Sequence, residues 1–335
     1  MHRLLHLEEA IGPGAVSTGH LPGPDAIADL VRAAWERYRP VTEGKVADYI
    51  PALAKALPDW FGLCVAGVDG ALHAVGEADH PFSIQSISKP FVFALVCQAL
   101  GSGRARKSIG VNATGLPFNS VMAIELNADR TMNPMVNAGA IATTSLVPGR
   151  TAAEKWQFLL DGLSRFAGRA LAMDEEVYAS EAATNQRNQG IARLLHGYRR
   201  MHCDPDEATD LYTRQCAVSV TARDLAVMGA TLADGGVNPV TRERVLDADR
   251  CKRVLAVMAT AGLYEQSGDW LYEVGLPGKS GVAGGIVTIA PGKGGLGTFS
   301  PPLDEAGNSV RGQLATRFLS ERLGLNLFAS APEAD

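Results

Sequence analysis

Residues 83–100 read SIQSISKPFVFALVCQAL, and Gly101 follows them. The apolar run with a glycine just past its end predicts a helix. Pro90 is tolerated if it lies in the first turn, where its missing N–H costs nothing. Inside the stretch stands Ser86-Ile87-Ser88-Lys89. Helical positions i and i+3 face the same way, so Ser86 Oγ and Lys89 Nζ can meet. Free N–H groups at a helix start favour negative charge, which helps an alkoxide or an oxyanion form. Lysine acts as a base only when burial lowers its pKa from about 10.4 toward neutrality, a shift of about 3 units worth roughly 4 kcal/mol. A capping serine and a solvated lysine explain the same four residues, and a chain this long holds about one S-x-x-K by composition alone. The motif therefore needs support from elsewhere.

Support comes from GKSGVAGGIVTIAPGKGGLGTFSPP, residues 278–302. Glycine and β-branched residues alternate there, and Pro291-Gly292 marks a turn, which predicts strands. Lys279-Ser280-Gly281 thus lies on a strand, and K-[ST]-G on a strand beside S-x-x-K is the arrangement of penicillin-recognising enzymes. A phosphate loop is excluded, because Glu273 stands where G-x-x-x-x-G-K-[ST] needs its first glycine.

Strands are also expected near the start of the chain. GLCVAGVDGALHAVG (62–76) has Asp69-Gly70 between two apolar runs, a hairpin signal. Between the two strand regions the signals are helical. Thr151-x-x-Glu154 predicts a helix over 152–166 and Thr221-x-x-Asp224 one over 222–234, closed by Gly235-Gly236. Val254, Val257 and Met258 suggest another buried helix, and a last one runs from about 309 to 324. Ahead of the hairpin, Ile27, Leu30, Val31, Ala34, Trp35 and Tyr38 form one apolar stripe after Pro24-Asp25, with Asp25 as the expected cap and Pro40 as the end. Strands at both ends with helices between them predict an α+β fold: an antiparallel sheet from both chain ends, flanked by helices, with an inserted helical lobe. The expected division is an extension over 1–23 and one domain over 24–335. Its α/β lobe covers about 24–105 and 262–330, and its helical lobe about 106–261.

The chain has 335 residues, 46% hydrophobic and 20% charged, enough to bury a sizeable core. Lys+Arg total 31 against Asp+Glu 36, a net charge of −5, which argues against a nucleic-acid partner. The longest apolar run, Phe91–Cys97, is too short to span a bilayer, and no signal peptide is visible, so a cytoplasmic protein without membrane contact is expected. Cys64, Cys97, Cys203, Cys216 and Cys251 form no C-x-x-C, so neither disulfides nor a cysteine zinc cluster is expected. His2, His6, His20, His73, His80, His196 and His202 show no ligand spacing, so no metal is expected. The acidic run Asp174-Glu175-Glu176 reads as a solvated face.

Longer matches make the resemblance specific. Asp48-Tyr49-Ile50-Pro51, FSIQSISKPF (82–91), GLPFNS (115–120), NPMVNAGAI (133–141), Ser180-Glu181, Arg187-Asn188, LYTRQC (211–216), GLYEQSGDW (262–270), GKSGVAGGI (278–286) and FSPPLDEAGNSVRG (299–312) run over almost all of 45–325. Together they resemble the serine-dependent glutaminase family, which has the β-lactamase/transpeptidase-like fold. Two departures are Gln189-Gly190, where the pattern has Arg or Lys and a small residue, and the unmatched first ~25 residues.

The resemblance implies hydrolysis of L-glutamine to L-glutamate and ammonia through a Ser-Lys acyl-enzyme, without cofactor. It makes Ser86 the nucleophile and Lys89 its base, with the N–H groups of Ser86 and Val282 as oxyanion hole. Glu181 is implied to bind the substrate ammonium and Asn137 and Asn188 its α-carboxylate. Tyr49, Tyr212 and Tyr264 line the pocket, with Tyr264 or Tyr212 relaying a proton. Lys279 is catalytic or supporting, beside Ser280. A homo-oligomer, dimer or tetramer, is implied too. The alternative is another amidohydrolase of this fold, a β-lactamase or peptidase. It predicts an export signal and an S-x-N or Y-x-N on the helical lobe, and neither is found.

Overall fold

The structure, a computed structural model, describes residues 21–130 and 132–330. Most of the expected extension, 1–20, lies outside the described residues. Strands β1 (Gly62–Gly67) and β2 (Leu72–Gly76) form the expected hairpin, and Gly70 takes φ +90° in its turn. Two-residue strands β3 (Phe82–Ser83) and β4 (Ala172–Met173) flank β5 (Val218–Val220) in a small antiparallel sheet. Late in the chain follow β6 (Gly278–Gly281), β7 (Gly285–Ala290) and β8 (Gly294–Phe299). The main sheet has the order β2-β1-β8-β7-β6, antiparallel throughout, so strands from both chain ends do build it.

Thirteen helices surround these sheets among the described residues. The first five are α1 (Pro24–Tyr38), α2 (Ser88–Leu100), α3 (Ser102–Ile109), α4 (Met122–Leu126) and α5 (Asn137–Ser145). Then come α6 (Ala152–Ala167), α7 (Glu175–Ala182), α8 (Gln186–Gly197) and α9 (Pro205–Cys216). The last four are α10 (Ala222–Ala233), α11 (Ala248–Ala261), α12 (Ser267–Val274) and α13 (Val310–Arg322). None of them is long and apolar enough to cross a membrane.

Alternation along β1 assigns the two faces of the main sheet. Leu63 and Val65 pack with Ile27 and Val31 of α1 and Phe318 and Leu319 of α13. Cys64 and Ala66 pack with Ala226, Val227 and Ala230 of α10. On that second face the helix approaches the sheet backbone itself. A Cβ at Gly295 would lie 2.2 Å from Ala226 O, and one at Gly297 1.9 Å from Ala222 O. Glycine at both places is therefore a packing requirement of α10 on β8.

Local capping follows the sequence in part. Thr221 and Asp224 complete a reciprocal box at α10. At α6 the Thr151 hydroxyl accepts from Glu154 N, but the Glu154 carboxylate takes the N–H of Arg150 instead. Asp25 is not the cap of α1: Gly23 holds that position, and Asp25 lies in the first turn with Pro24. The largest difference lies in 83–100. Residues Gln85–Ile87 form a 3-10 turn, and the α-helix begins only at Ser88. Gln85 has φ +50°, which an α-helix cannot continue through. Pro90 still falls in the first turn of α2.

Two glycine substitutions should separate packing from propensity. Gly297→Val is expected to cost at least about 3 kcal/mol in urea unfolding, since α10 must lift off β8. Gly190→Ala, in open space on α8, is expected to stabilise by about 0.5–1 kcal/mol through helix propensity.

Candidate active site

A cleft of about 1480 Å³ opens where the start of α2 meets α5, α7, α8 and α9, the turn after β6 and the loop before α13. Ser86 lies in it, 8% exposed, on the 3-10 turn that packs against β6. Asn137, Glu181, Asn188, Tyr212 and Val282 line it as well, and Tyr49 stands at the rim, 59% exposed. Lys89, Tyr264, Lys279 and Ser280 are buried and do not line it.

Lys89 is 1% exposed. Its Nζ donates to Asn137 Oδ1 at 2.8 Å and to Met135 O at 3.1 Å, both neutral acceptors. Burial pushes its pKa down to about 8, and Glu181 opposes the fall only in part. Asn137 is fixed by three partners. Beside Lys89, its Oδ1 accepts from Tyr212 OH at 3.3 Å, and its Nδ2 donates to Asn188 Oδ1 at 3.0 Å. With Asn188 Oδ1 so engaged, the Asn188 amide N–H groups are the part left to meet a ligand.

Glu181, near the end of α7, is buried, and burial pushes its carboxyl up to about 7. Gln85 Nε2 donates to its Oε2 at 3.3 Å and to Ser83 Oγ at 3.1 Å. A carboxylate held in such a place favours a cation that arrives with its own hydrogen-bond donors.

Behind Ser86 a second buried lysine stands on β6. Lys279 Nζ donates to Ser280 O at 2.8 Å and sits 4.1 Å from the centre of the Tyr264 ring. Burial, with the Lys89 charge nearby, holds its pKa well below the usual lysine range. The Tyr264 phenol also donates to Ser280 O, at 3.4 Å, and is in hydrogen-bonding reach of Ser86. Burial raises it to about 12. Tyr264 itself has φ +55°, at the head of the 3-10 turn Tyr264–Gln266.

A protein-family model for glutaminase matches residues 44–328. Glutaminase 2 of Yersinia pestis is 63% identical over 317 residues, 95% of this chain and 93% of that one. A solved structure of a probable glutaminase, ybaS, is 44% identical with TM-score 0.91, covering 92% of this chain and all of that one. The chain belongs to the glutaminase family. A second solved structure, of Mglu in its glutamate form, is 41% identical with TM-score 0.87, covering 93% of this chain and 71% of the other. The family expected from the sequence is therefore the family found, and the fold is the α+β, β-lactamase-like one.

Several cleft residues escaped the sequence reading. Phe118 lies 4.5 Å from the Tyr264 ring and 5.9 Å from Lys89 Nζ. GLPFNS was part of the glutaminase-like pattern, yet no residue chemistry pointed to Phe118. Gln85, Arg187 and Gln266 also stand at or beside the cleft; their types carry no reaction by themselves, and only proximity marks them.

No thiol is poised for attack among the described residues. Burial raises Cys64 and Cys251 to about 12 and Cys97 and Cys203 to about 11, and it raises Cys216, beside Tyr212, further still. Iodoacetamide at pH 8 is thus expected to leave Cys216, Cys97, Cys64 and Cys251 unmodified in the native enzyme and to alkylate them after unfolding. Rapid native labelling of Cys216 with loss of activity, read by peptide mass, would instead point to thiol chemistry.

Proposed function

We propose that the chain hydrolyses L-glutamine to L-glutamate and ammonia through an acyl-enzyme on Ser86. The observation that carries this reading is the pairing of a cleft serine with a lysine three residues on that is buried, carboxylate-free in its hydrogen bonds, and lowered to about 8. Such a lysine is partly neutral near neutral pH and can take a proton. Ser86 Oγ forms a bond to the side-chain amide carbon while its proton passes to Lys89. The carbon–nitrogen bond then breaks and ammonia leaves with a proton returned through the site. Water hydrolyses the resulting ester by the same steps reversed. The N–H groups of Ser86 and Val282 serve the developing oxyanion.

The rest of the cleft suits a free amino acid. Glu181 takes the α-ammonium, and the Asn137–Asn188 pair takes the α-carboxylate. Of the two tyrosines, Tyr264 is the better proton relay, because its phenol is in reach of Ser86. Lys279 supports Tyr264 from behind its ring. Tyr49 closes the rim. In this reading the helical lobe of 106–261, apart from α10, which packs on the main sheet, and the α/β lobe of 24–105 and 262–330 hold the substrate between them. The enzyme works as a cytoplasmic homo-oligomer.

Purified protein should release ammonia from L-glutamine, and Ser86→Ala should lower kcat by at least about 1000-fold. Hydrolysis by Ser86→Ala near the wild-type rate would remove Ser86 from the mechanism. The same variant holds substrate unturned and so allows a second test. With Glu181 held at about 7 in the free site, a proton competes with the substrate ammonium. Affinity is then full above about pH 7 and falls below it, by up to about tenfold per pH unit. Calorimetric titration of Ser86→Ala with L-glutamine from pH 8 to 5.5 reads this slope. Adding Glu181→Gln should flatten it and weaken binding by about 10–150-fold at pH 8. A slope that survives the second substitution would assign the titration to another group.

A further inference from the structure

Asn308 is fully buried and does not line the cleft. Its side chain joins two segments that are far apart in sequence. Its Oδ1 accepts from Ser280 Oγ on β6 at 2.6 Å. Its Nδ2 donates to Gln266 Oε1 at 3.1 Å, on the 3-10 turn that begins at Tyr264. The two segments meet again at the tyrosine, whose phenol donates to Ser280 O. The contacts therefore close a ring: Asn308 to Ser280, Ser280 to the Tyr264 phenol, Tyr264 through its own turn to Gln266, and Gln266 back to Asn308. Asn308 is held in its turn by Asp304, whose Oδ1 accepts from Asn308 N at 3.0 Å and whose Oδ2 accepts from Gln313 Nε2 at 2.9 Å.

Such a ring has work to do here. A non-glycine residue at φ +55° is strained and persists only where its surroundings over-determine it. Ser267 Oγ, donating to Tyr264 O at 2.8 Å and accepting from Leu263 N at 3.1 Å, fixes the backbone of the turn. That pair leaves the direction of the ring free. The arms through Gln266 and Ser280 fix the turn and the phenol against the same third side chain, and so set where the phenol points relative to Ser86.

We infer that Asn308 is a positioning residue for Tyr264: it locks the strained turn and the β6 carbonyl together so that the phenol stays on Ser86. The inference rests on the acyl-enzyme reading above and names a further residue on which that reaction depends. Removing the lock should slow the chemical steps, which use the phenol, and spare substrate binding, which uses Glu181, Asn137 and Asn188.

The test compares Asn308→Leu, Ser280→Ala and their double variant with wild type. Asn308→Leu is expected to lower kcat about 10–100-fold with KM changed less than about threefold. Ser280→Ala cuts only one arm by removing a hydroxyl, and should fold even if Asn308→Leu does not; it is expected to lower kcat about 3–20-fold with the same KM pattern. The double variant should be no slower than Asn308→Leu, because both cut one ring. Hydrogen exchange of the peptide 262–270 reads the lock without turnover and should quicken in each variant. Wild-type kcat in both single variants, or multiplied losses in the double, would overturn the inference. Unchanged exchange in 262–270 would overturn it even if the protein hydrolysed no glutamine, whereas quickened exchange beside an inactive wild type would count against the acyl-enzyme reading and not against the lock.

Discussion

Much of this structure follows from keeping one ammonium group out of water. Lys89 is buried beneath the cleft, and its hydrogen-bond acceptors are an amide oxygen and a backbone carbonyl. Had a carboxylate taken those places, the lysine would be held charged, far from any use as a base. Neutral acceptors satisfy its protons without anchoring its charge. The chain must supply them rigidly, which explains the order around α5. Asn133 Oδ1 takes the N–H of Met135, and Asn133 Nδ2 reaches Asn112 O. The Met135 carbonyl is thereby fixed where Lys89 needs it. Asn137 is fixed by Tyr212 and Asn188 in the same way.

Burial of this kind costs stability, and the surrounding packing has to offset it. Phe91 of α2 and Phe166 of α6 meet edge to face, 5.0 Å apart. Phe82 stacks on Phe299 at 4.3 Å beside the entry to the 3-10 turn. On the same face of the sheet α10 lies against bare glycine backbone. Contacts this close leave few alternative packings and so fix the level of β8, and through it β7 and β6. The second lysine inherits its position from that stack, since Lys279 pairs with Val287 across β6 and β7. The 3-10 turn bearing Ser86 and the strand bearing Lys279 are thus brought together by the packing around them.

The sequence carried the two ends of this arrangement clearly. Lys279-Ser280-Gly281 lies on the strand expected and Lys89 on the helix expected, while Ser86 sits on the 3-10 turn before that helix, and Asp69-Gly70 turns the hairpin. Thr221 and Asp224 cap α10 because both partners are three residues apart and need nothing else. Readings failed where a distant residue decides. Arg150 N captures the Glu154 carboxylate and leaves half a box. The two-residue strands β3 and β4 have no period to detect, and they exist only because β5 lies between them. The 3-10 turn before Ser88 is invisible locally. Its left-handed Gln85 is tied to Glu181, 96 residues on, and its carbonyl accepts from Ser88 Oγ, which Gln215 holds in turn. Asn308 belongs with these, since its partners lie 28 and 42 residues away.

Strain is placed by the same logic. Five non-glycine residues among those described have positive φ, and two of them, Gln85 and Tyr264, are at the site. Each introduces a 3-10 turn that begins at that residue. In each the side chain is engaged by groups from elsewhere in the chain, Gln85 with Glu181 and Tyr264 with Ser280. A relaxed α-helix would bury the Ser86 region in the regular ladder of α2 and carry Gln85 away from Glu181. The left-handed step instead offsets the chain at the residue before Ser86, so that the Gln85 side chain reaches Glu181 while Ser86 enters the cleft. At Tyr264 a comparable step accompanies a buried phenol that donates to Ser280 O and stands within reach of Ser86. Energy spent on two unfavourable backbone angles, of order 1–3 kcal/mol each, thus goes into the relative direction of three side chains.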